Sequence, residues 1–267
     1  MSPVAPDTET TTPPPDRVQS LARGLAVIRS FDADNPTRTL SDVARATGLT
    51  RATARRFLLT LADLGYVRSD AGVFSLTPLV LELGYSYLSG LRMPDLAQPH
   101  LRDLSGRVGE STSVSVLDGA DVVYVAREQV SRIMAVSISI GTRFPAHVTS
   151  MGRVLLAGLP PAELDAAIAA SSFERRTDST VADADQLRRV LDRVRDDGYC
   201  LVDQELEPGL RSIAAPIRHA NGTVAAAVNI STPAGRYDVA ELSGRMLPLL
   251  VATAAAIEAD LRRAGPG

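Results

Sequence analysis

Apolar residues recur at helical spacing through the first quarter of the chain and then give way to short β-prone runs. Val18, Leu21, Leu25, Ile28 and Phe31 follow at steps of three or four, which predicts a helix with one apolar stripe. Asp34-Asn35-Pro36 breaks it. A second, short helix starts near Leu40. Thr39 can cap it, Asp42 suits its positive end, Leu40, Val43 and Ala44 face inward, and Gly48 stops it. A third helix follows at once, with Thr50 as cap and Arg51 to Leu64 as body. Ala54, Phe57, Leu58, Leu61 and Leu64 make its inward face, and Gly65 ends it. Tyr66-Val67-Arg68 and Val73-Phe74-Ser75-Leu76 flank an Asp/Gly turn, which predicts a hairpin. Helix, helix, tight turn, helix and hairpin is the layout of a winged helix-turn-helix.

Leu79 to Leu91 is apolar on most sides of a helix and must be buried, either against a second subunit or on its own domain. Arg92-Met93-Pro94 opens a new domain. There, Leu96 to Val108 predicts an amphipathic helix. Ser111 to Leu117 and Val122 to Arg127 predict strands about Asp118-Gly119, and Ile133 to Ile140 a further strand. Ser150 to Gly158, Pro161 to Ala170 and Asp183 to Asp197 predict helices. Leu201-Val202 and Ser212 to Arg218 predict strands, and Asn221-Gly222 turns into Thr223 to Ser231. Leu242 to Arg262 closes as an Ala-rich helix. Strands mixed with helices point to an antiparallel α/β domain. The expected division is a disordered Pro/Thr-rich tail at 1–16, the winged helix-turn-helix at 17–78, the linker and dimerisation helix at 79–92, and the α/β domain at 93–267.

Composition narrows the class. In 267 residues, 45% are hydrophobic and 22% charged, which is ordinary for a chain with a sizeable core. No window approaches the roughly 18 uncharged apolar residues of a membrane helix, so no membrane partner is expected. The N-terminus lacks the layout of a signal peptide, and one cysteine, Cys200, fits a reducing cytoplasm. Every one of the 28 basic residues is an arginine. Residues 17–80 carry nine arginines against five acids, whereas the whole chain has a net charge of −3. A basic block on an acidic protein suggests a local polyanion contact.

The third helix concentrates that charge. Its side opposite the apolar face presents Ala52, Arg55, Arg56 and Leu59, with Thr50, Arg51 and Thr53 at its start. Cations in a first turn oppose the helix dipole. They make sense if the front of the helix meets DNA, where arginine bonds guanine edges or phosphates and Ala or Thr methyls touch thymine. Arg68 on the wing is placed for a phosphate. The alternative is a small-molecule-binding module whose N-terminal domain binds protein.

Three stretches resemble the IclR family of bacterial transcription regulators: LSDVARATGLTRATARRFLLTLADLGYV (40–67), GTRFPAHVTSMGRVLLA (141–157) and GYCLVDQELEPGLRSIAAPI (198–217). RIMAVSISIGTR, TSMGRVLLA and VDQELEPGLRSIAAPI are similar to the branch that controls protocatechuate and β-ketoadipate catabolism. His147 departs from the aromatic residue expected there. The resemblance implies an α+β chain with a winged helix-turn-helix, a linker helix and a GAF-like effector-binding domain. It also implies homodimers or homotetramers on a palindromic double-stranded DNA operator, with no cofactor. Its effector pocket would be lined by Ile133, Val136, Phe144, Ser150, Met151, Val202, Leu210, Ser212, Asn229 and Ser231.

That set is physically coherent. Leu210 and Ser212 share a strand face, as do Asn229 and Ser231. Apolar walls with a few hydroxyl and amide groups suit a small hydroxylated aromatic acid. The amides at the start of the helix from Ser150 to Gly152 can hold a carboxylate, or Arg143 can supply the charge partner. His100, His147 and His219 are far apart, no metal-ligand spacing or nucleophile elbow is present, and Cys200 reads as a buried structural thiol. Catalysis and bound metal are therefore not expected.

Overall fold

The structure, a computed structural model, describes residues 18–88, 92–130 and 138–264. The tail at 1–16, Ile133, Val136 and most of the strand expected at 133–140 lie outside the described residues. The chain divides into two compact units between Tyr87 and Leu88.

The first unit is built from α1 (Gln19–Arg29), β1 (Thr37–Thr39), α2 (Leu40–Thr47), α3 (Arg51–Asp63), β2 (Val67–Asp70), β3 (Val73–Leu76) and α4 (Leu81–Leu88). Thr39 and Asp42 form a reciprocal capping box on α2. Gly48 closes α2 in the left-handed conformation at φ 66°, which an L side chain resists. Val27, Val43, Ala54, Leu58, Leu61, Val67 and Phe74 pack between the helices and the wing. Beyond the predicted hairpin, β1 adds a third strand on β3. Its sequence, Thr-Arg-Thr, has no apolar alternation to reveal it.

Three apolar stripes differ from expectation. On α1 only the C-terminal half turns inward: Val18, Leu21 and Leu25 are exposed, while Val27 is fully buried. Leu64, expected on the inner face of α3, is 58% exposed because the helix ends at Asp63 and the chain turns away. In α4, Leu81 and Leu83 are exposed as well.

The second unit is a six-stranded antiparallel sheet in the order β6-β5-β4-β9-β8-β7. The strands are β4 (Ser111–Asp118), β5 (Asp121–Glu128), β6 (Arg143–Pro145), β7 (Cys200–Asp203), β8 (Leu210–Arg218) and β9 (Val224–Pro233). On one face lie α5 (Arg92–Val108) and α10 (Leu247–Ala264), with Leu101, Leu104, Ile213, Ile230 and Leu250 at the centre. On the other lie α6 (Ser150–Ala157), α7 (Pro161–Ala170) and α8 (Ala184–Asp197), with Met151, Leu156, Leu187 and Leu191 fully buried. The short α9 (Val239–Glu241) leads through a π turn into α10. The stretch Val239–Ala264 comes nearer to a membrane span than expected, being long and apolar enough by length and composition. Its apolar side is used in the core, where Leu242, Met246, Leu250, Ala254 and Ile257 are buried.

One contact positions α6. A Cβ on Gly152 would stand 2.2 Å from the Ala146 carbonyl oxygen, so only glycine lets the helix start lie against the preceding turn. Gly152→Ala is expected to destabilise the second unit by about 1–3 kcal/mol or more, because backbone must give way. Denaturant unfolding checks this, and an unchanged midpoint would refute the close approach.

Candidate functional sites

The first site is the outer face of α3. Thr50 caps the helix, its hydroxyl accepting from the Thr53 amide at 3.2 Å and donating to the Thr53 hydroxyl at 2.9 Å. Burial of Ala54, Leu58 and Leu61 fixes which side faces in. The opposite side therefore exposes Arg51, Ala52, Arg55, Arg56 and, at 41%, Leu59, with Thr53 half-exposed. Among the described residues no carboxylate pairs with Arg51, Arg55 or Arg56, whereas Arg45 on the neighbouring helix is paired to Asp42. No acid stands in the first turn of α3. A polyanion would relieve both the mutual repulsion of these charges and their opposition to the helix dipole. Arg68 is exposed on the wing, its Nε donating to Ser75 Oγ at 2.9 Å.

The second site is a cavity under α6 on the sheet of the second unit. Ser150, Val202, Leu210, Ser212, Asn229 and Ser231 line it together. Strand register explains this convergence: Val202, Ser212 and Ser231 stand in one row across β7, β8 and β9, and Asn229 precedes Ser231 by two residues on the same face. The Ser150 and Ser212 hydroxyls bond at 2.9 Å, and the Asn229 amide donates to the Ser231 hydroxyl at 3.0 Å. The Asn229 carbonyl oxygen is buried without a partner. Tyr124, Ile138, Val148, Thr149 and Leu206 complete the lining and were not singled out from the sequence. Of these, Tyr124 closes one wall; burial pushes its phenol up to about 12, so it stays a neutral donor.

Three expected residues lie outside the lining. Met151 is fully buried in the core, its sulfur accepting the Ser115 hydroxyl at 3.2 Å. Phe144 meets Tyr124 edge-on, with ring centroids 5.8 Å apart, and so supports the wall from behind. Arg143 does not reach the cavity. It sits on the edge strand β6 with its guanidinium exposed and held by Asp118 at 2.7 Å and Asp121 at 3.3 Å.

The lining nearly closes on itself: the free space is about 10 Å³, room for about one water. A benzene-sized guest needs roughly 150 Å³. An aromatic ring therefore enters only if the lining parts; Leu206 lies on the connection from β7 to β8, and Leu210 opens β8. The start of α6 commits the Gly152 amide to the Thr149 hydroxyl at 3.0 Å, which leaves the Ser150 and Met151 amides for an anion at that helix start.

Two further titratable groups, His147 and Cys200, are buried away from this lining. His147 is buried beside Phe173, with ring centroids 4.9 Å apart, and neither ring nitrogen has a partner. Burial, then the Arg153 and Arg176 guanidiniums, hold the imidazole below its usual pKa. Burial pushes the Cys200 thiol up to about 11, far from a thiolate nucleophile at neutral pH. Among the described residues no group of three or more His, Cys, Asp or Glu is gathered to hold a metal.

Residues 20–71 match the IclR helix-turn-helix domain, and residues 85–259 match the bacterial transcriptional regulator IclR C-terminal domain. The chain is 44% identical to the Pca regulon regulatory protein of Pseudomonas putida over 89% of this chain and 82% of that one. It is 37% identical to the p-hydroxybenzoate hydroxylase transcriptional activator of Acinetobacter baylyi, covering 90% of each. A solved structure from Rhodococcus sp. RHA1 superposes with a TM-score of 0.83 at 63% identity, covering 93% of this chain and 100% of that one. The IclR homologue of Microbacterium hydrocarbonoxydans, solved with 4-hydroxybenzoate, gives 0.80 at 29% identity, covering 91% and 99%.

The buried imidazole generates a pH prediction. Its pKa is lowered in the folded protein and ordinary, near 6.5, in the unfolded chain. The unfolded chain then binds more protons as pH falls below 6.5, so stability is full above that value and declines beneath it. His147→Phe should flatten this acid-side decline, as read by urea midpoints from pH 7.5 to 5. An unchanged slope would show that His147 is not the group responsible.

Proposed function

The chain belongs to the IclR family of bacterial transcriptional regulators, and from that premise we propose that it regulates genes of aromatic-acid catabolism in response to a small hydroxylated aromatic acid. The observation that carries this effector class is one lining in which Ser150, Ser212, Asn229 and Ser231 stand beside Tyr124, Val202 and Leu210, apolar walls with a few polar groups. The protocatechuate and β-ketoadipate pathway is the favoured setting, given the similarity to the Pca regulon protein. On the DNA side, Thr50, Arg51, Ala52, Thr53, Arg55 and Arg56 meet the major groove of an operator, and Arg68 holds a flanking phosphate.

A two-fold operator needs two copies of α3. The exposed Leu21 and Leu25 of α1, with Leu81 and Leu83 of α4, suit contact with a second copy of the chain. The effector then acts by favouring whichever arrangement of the oligomer leaves its cavity open, through differential affinity for the two states. No catalytic turnover is part of this function.

Arg55→Ala and Arg56→Ala should each weaken duplex binding and lower the salt slope by about one phosphate's worth while leaving the thermal melt intact. Unaltered affinity in both variants would remove α3 from the interface. Ser212→Leu should fill the cavity and abolish the thermal shift caused by hydroxybenzoates without altering DNA affinity. A normal dose-response in that variant would displace the effector from this cavity.

A further inference from the structure

The sequence offers Arg143 and the start of α6 as charge partners for an acid in this cavity, yet the sheet itself carries a better one. Arg127 on β5 pairs in register with Ser113 on β4, and Ser113 in turn stands opposite Asn229 on β9. These three residues form one row across the sheet, and Asn229 lines the cavity. Strict alternation would turn Arg127 away from Tyr124, three residues earlier. A register shift between Val114 and Ser115 places both Val125 and Ala126 against the opposite core, so Tyr124 and Arg127 share the cavity face.

The guanidinium is only partly satisfied there. One terminal nitrogen donates to Ser113 Oγ at 3.2 Å, while Nε is buried with no partner. Among the described residues no carboxylate pairs with it, and burial lowers its pKa from the ordinary arginine value. The two nearest alternatives are weaker candidates. Arg143 already holds two aspartates, and α6 has committed one of its first amides to Thr149. Two strands over from Arg127, whose guanidinium reaches Ser113 on the intervening β4, the Asn229 side-chain oxygen also lacks a partner. A ligand with an anion at one end and a hydroxyl at the other satisfies both atoms at once.

We propose that Arg127 is the cation that binds the effector's carboxylate, with the Asn229 side-chain oxygen accepting the hydroxyl at the ligand's far end. This rests on the aromatic-acid reading above and names the residue that sets its specificity for acids. It places the anion against the sheet rather than at the helix start.

Calorimetry with 4-hydroxybenzoate, 3,4-dihydroxybenzoate and the matching neutral benzamides tests it on the full chain. Wild-type protein should favour acid over amide by about ten- to a hundredfold, the worth of a charge-assisted hydrogen bond in place of a neutral one. Arg127→Gln should lose that preference while still binding the amides, and Arg127→Lys should retain part of it. The unliganded Arg127→Gln protein should melt at or above the wild-type temperature, since it removes a half-buried charge that no carboxylate among the described residues pairs with. Retention of the full acid preference in Arg127→Gln would move the carboxylate elsewhere and overturn the assignment, leaving the aromatic-acid function standing. A variant that fails to fold would overturn it too, by showing that the guanidinium already has stabilising partners. Wild-type protein indifferent to every acid and amide would sink the effector class itself, and this residue's role with it.

Discussion

Water cannot reach the sheet face beneath α6, and that face is not wholly apolar. Ser113 and Ser115 on β4, Ser212 on β8 and Asn229 and Ser231 on β9 are all buried. Each such group must find a hydrogen-bond partner or carry a desolvation cost of about 1–3 kcal/mol. Most of the row is satisfied internally: Ser115 to the Met151 sulfur, Ser150 with Ser212, Asn229 to Ser231 and Arg127 to Ser113. Asn229 Oδ1 and Arg127 Nε are the atoms of this row left over. The fold thus holds two unmet polar atoms on the sheet face that carries the cavity, one of them, Asn229 Oδ1, in the cavity lining itself.

Two arginine–carboxylate pairs hold the chain segment that closes that cavity. Arg153 of α6 bonds both oxygens of Glu205, at 2.7 and 2.5 Å, and its Nε donates to the His147 carbonyl. Arg211 of β8 bonds both oxygens of Asp203, at 2.9 and 2.8 Å, and also donates to the Ala234 and Tyr237 carbonyls. Glu205 is tied further, its carbonyl accepting from Thr180 and its carboxylate from the Val181 amide. Leu206 follows Glu205 directly, and Leu210 directly precedes Arg211. Removing one partner of a buried pair leaves an uncompensated charge, so the segment does not detach freely. Arg153 thereby ties α6 directly to Glu205, the residue next to Leu206 in the cavity lining.

Much of this was legible in the chain because local periodicity and turn chemistry agree with the final packing. The capped pair α2–α3, the wing and the succession of strands and helices after Arg92 follow from stripes, caps and turn residues. What escaped did so for physical reasons. A three-residue polar strand such as β1 has no alternation. The exposed leucines of α1 and Leu64 carry the same periodic signal as buried ones, because periodicity marks a face without saying what covers it. Arg143 was attractive at a strand end, but its neighbours across the β4–β5 turn are aspartates, which only the register brings near. Arg127 was hidden by a bulge: strict alternation along β5 gives it the wrong face, and one extra residue in the ladder reverses it.

That bulge bears on how the cavity discriminates. A purely apolar pocket tells two ligands apart by shape and separates close analogues weakly. A pocket with a cationic donor at one side and an amide acceptor at the other penalises any ligand that leaves either atom unpaired, because the cost of its burial is then not recovered. The regular strand would have left only neutral groups, Asn229 and the serines, which a neutral phenol satisfies as well as an acid. By turning Arg127 onto the same face as Asn229, the irregularity in β5 demands an anion and a hydroxyl held at a fixed separation. Selectivity for hydroxylated acids is then a property of strand register, set by the rigid sheet rather than by the segment that opens.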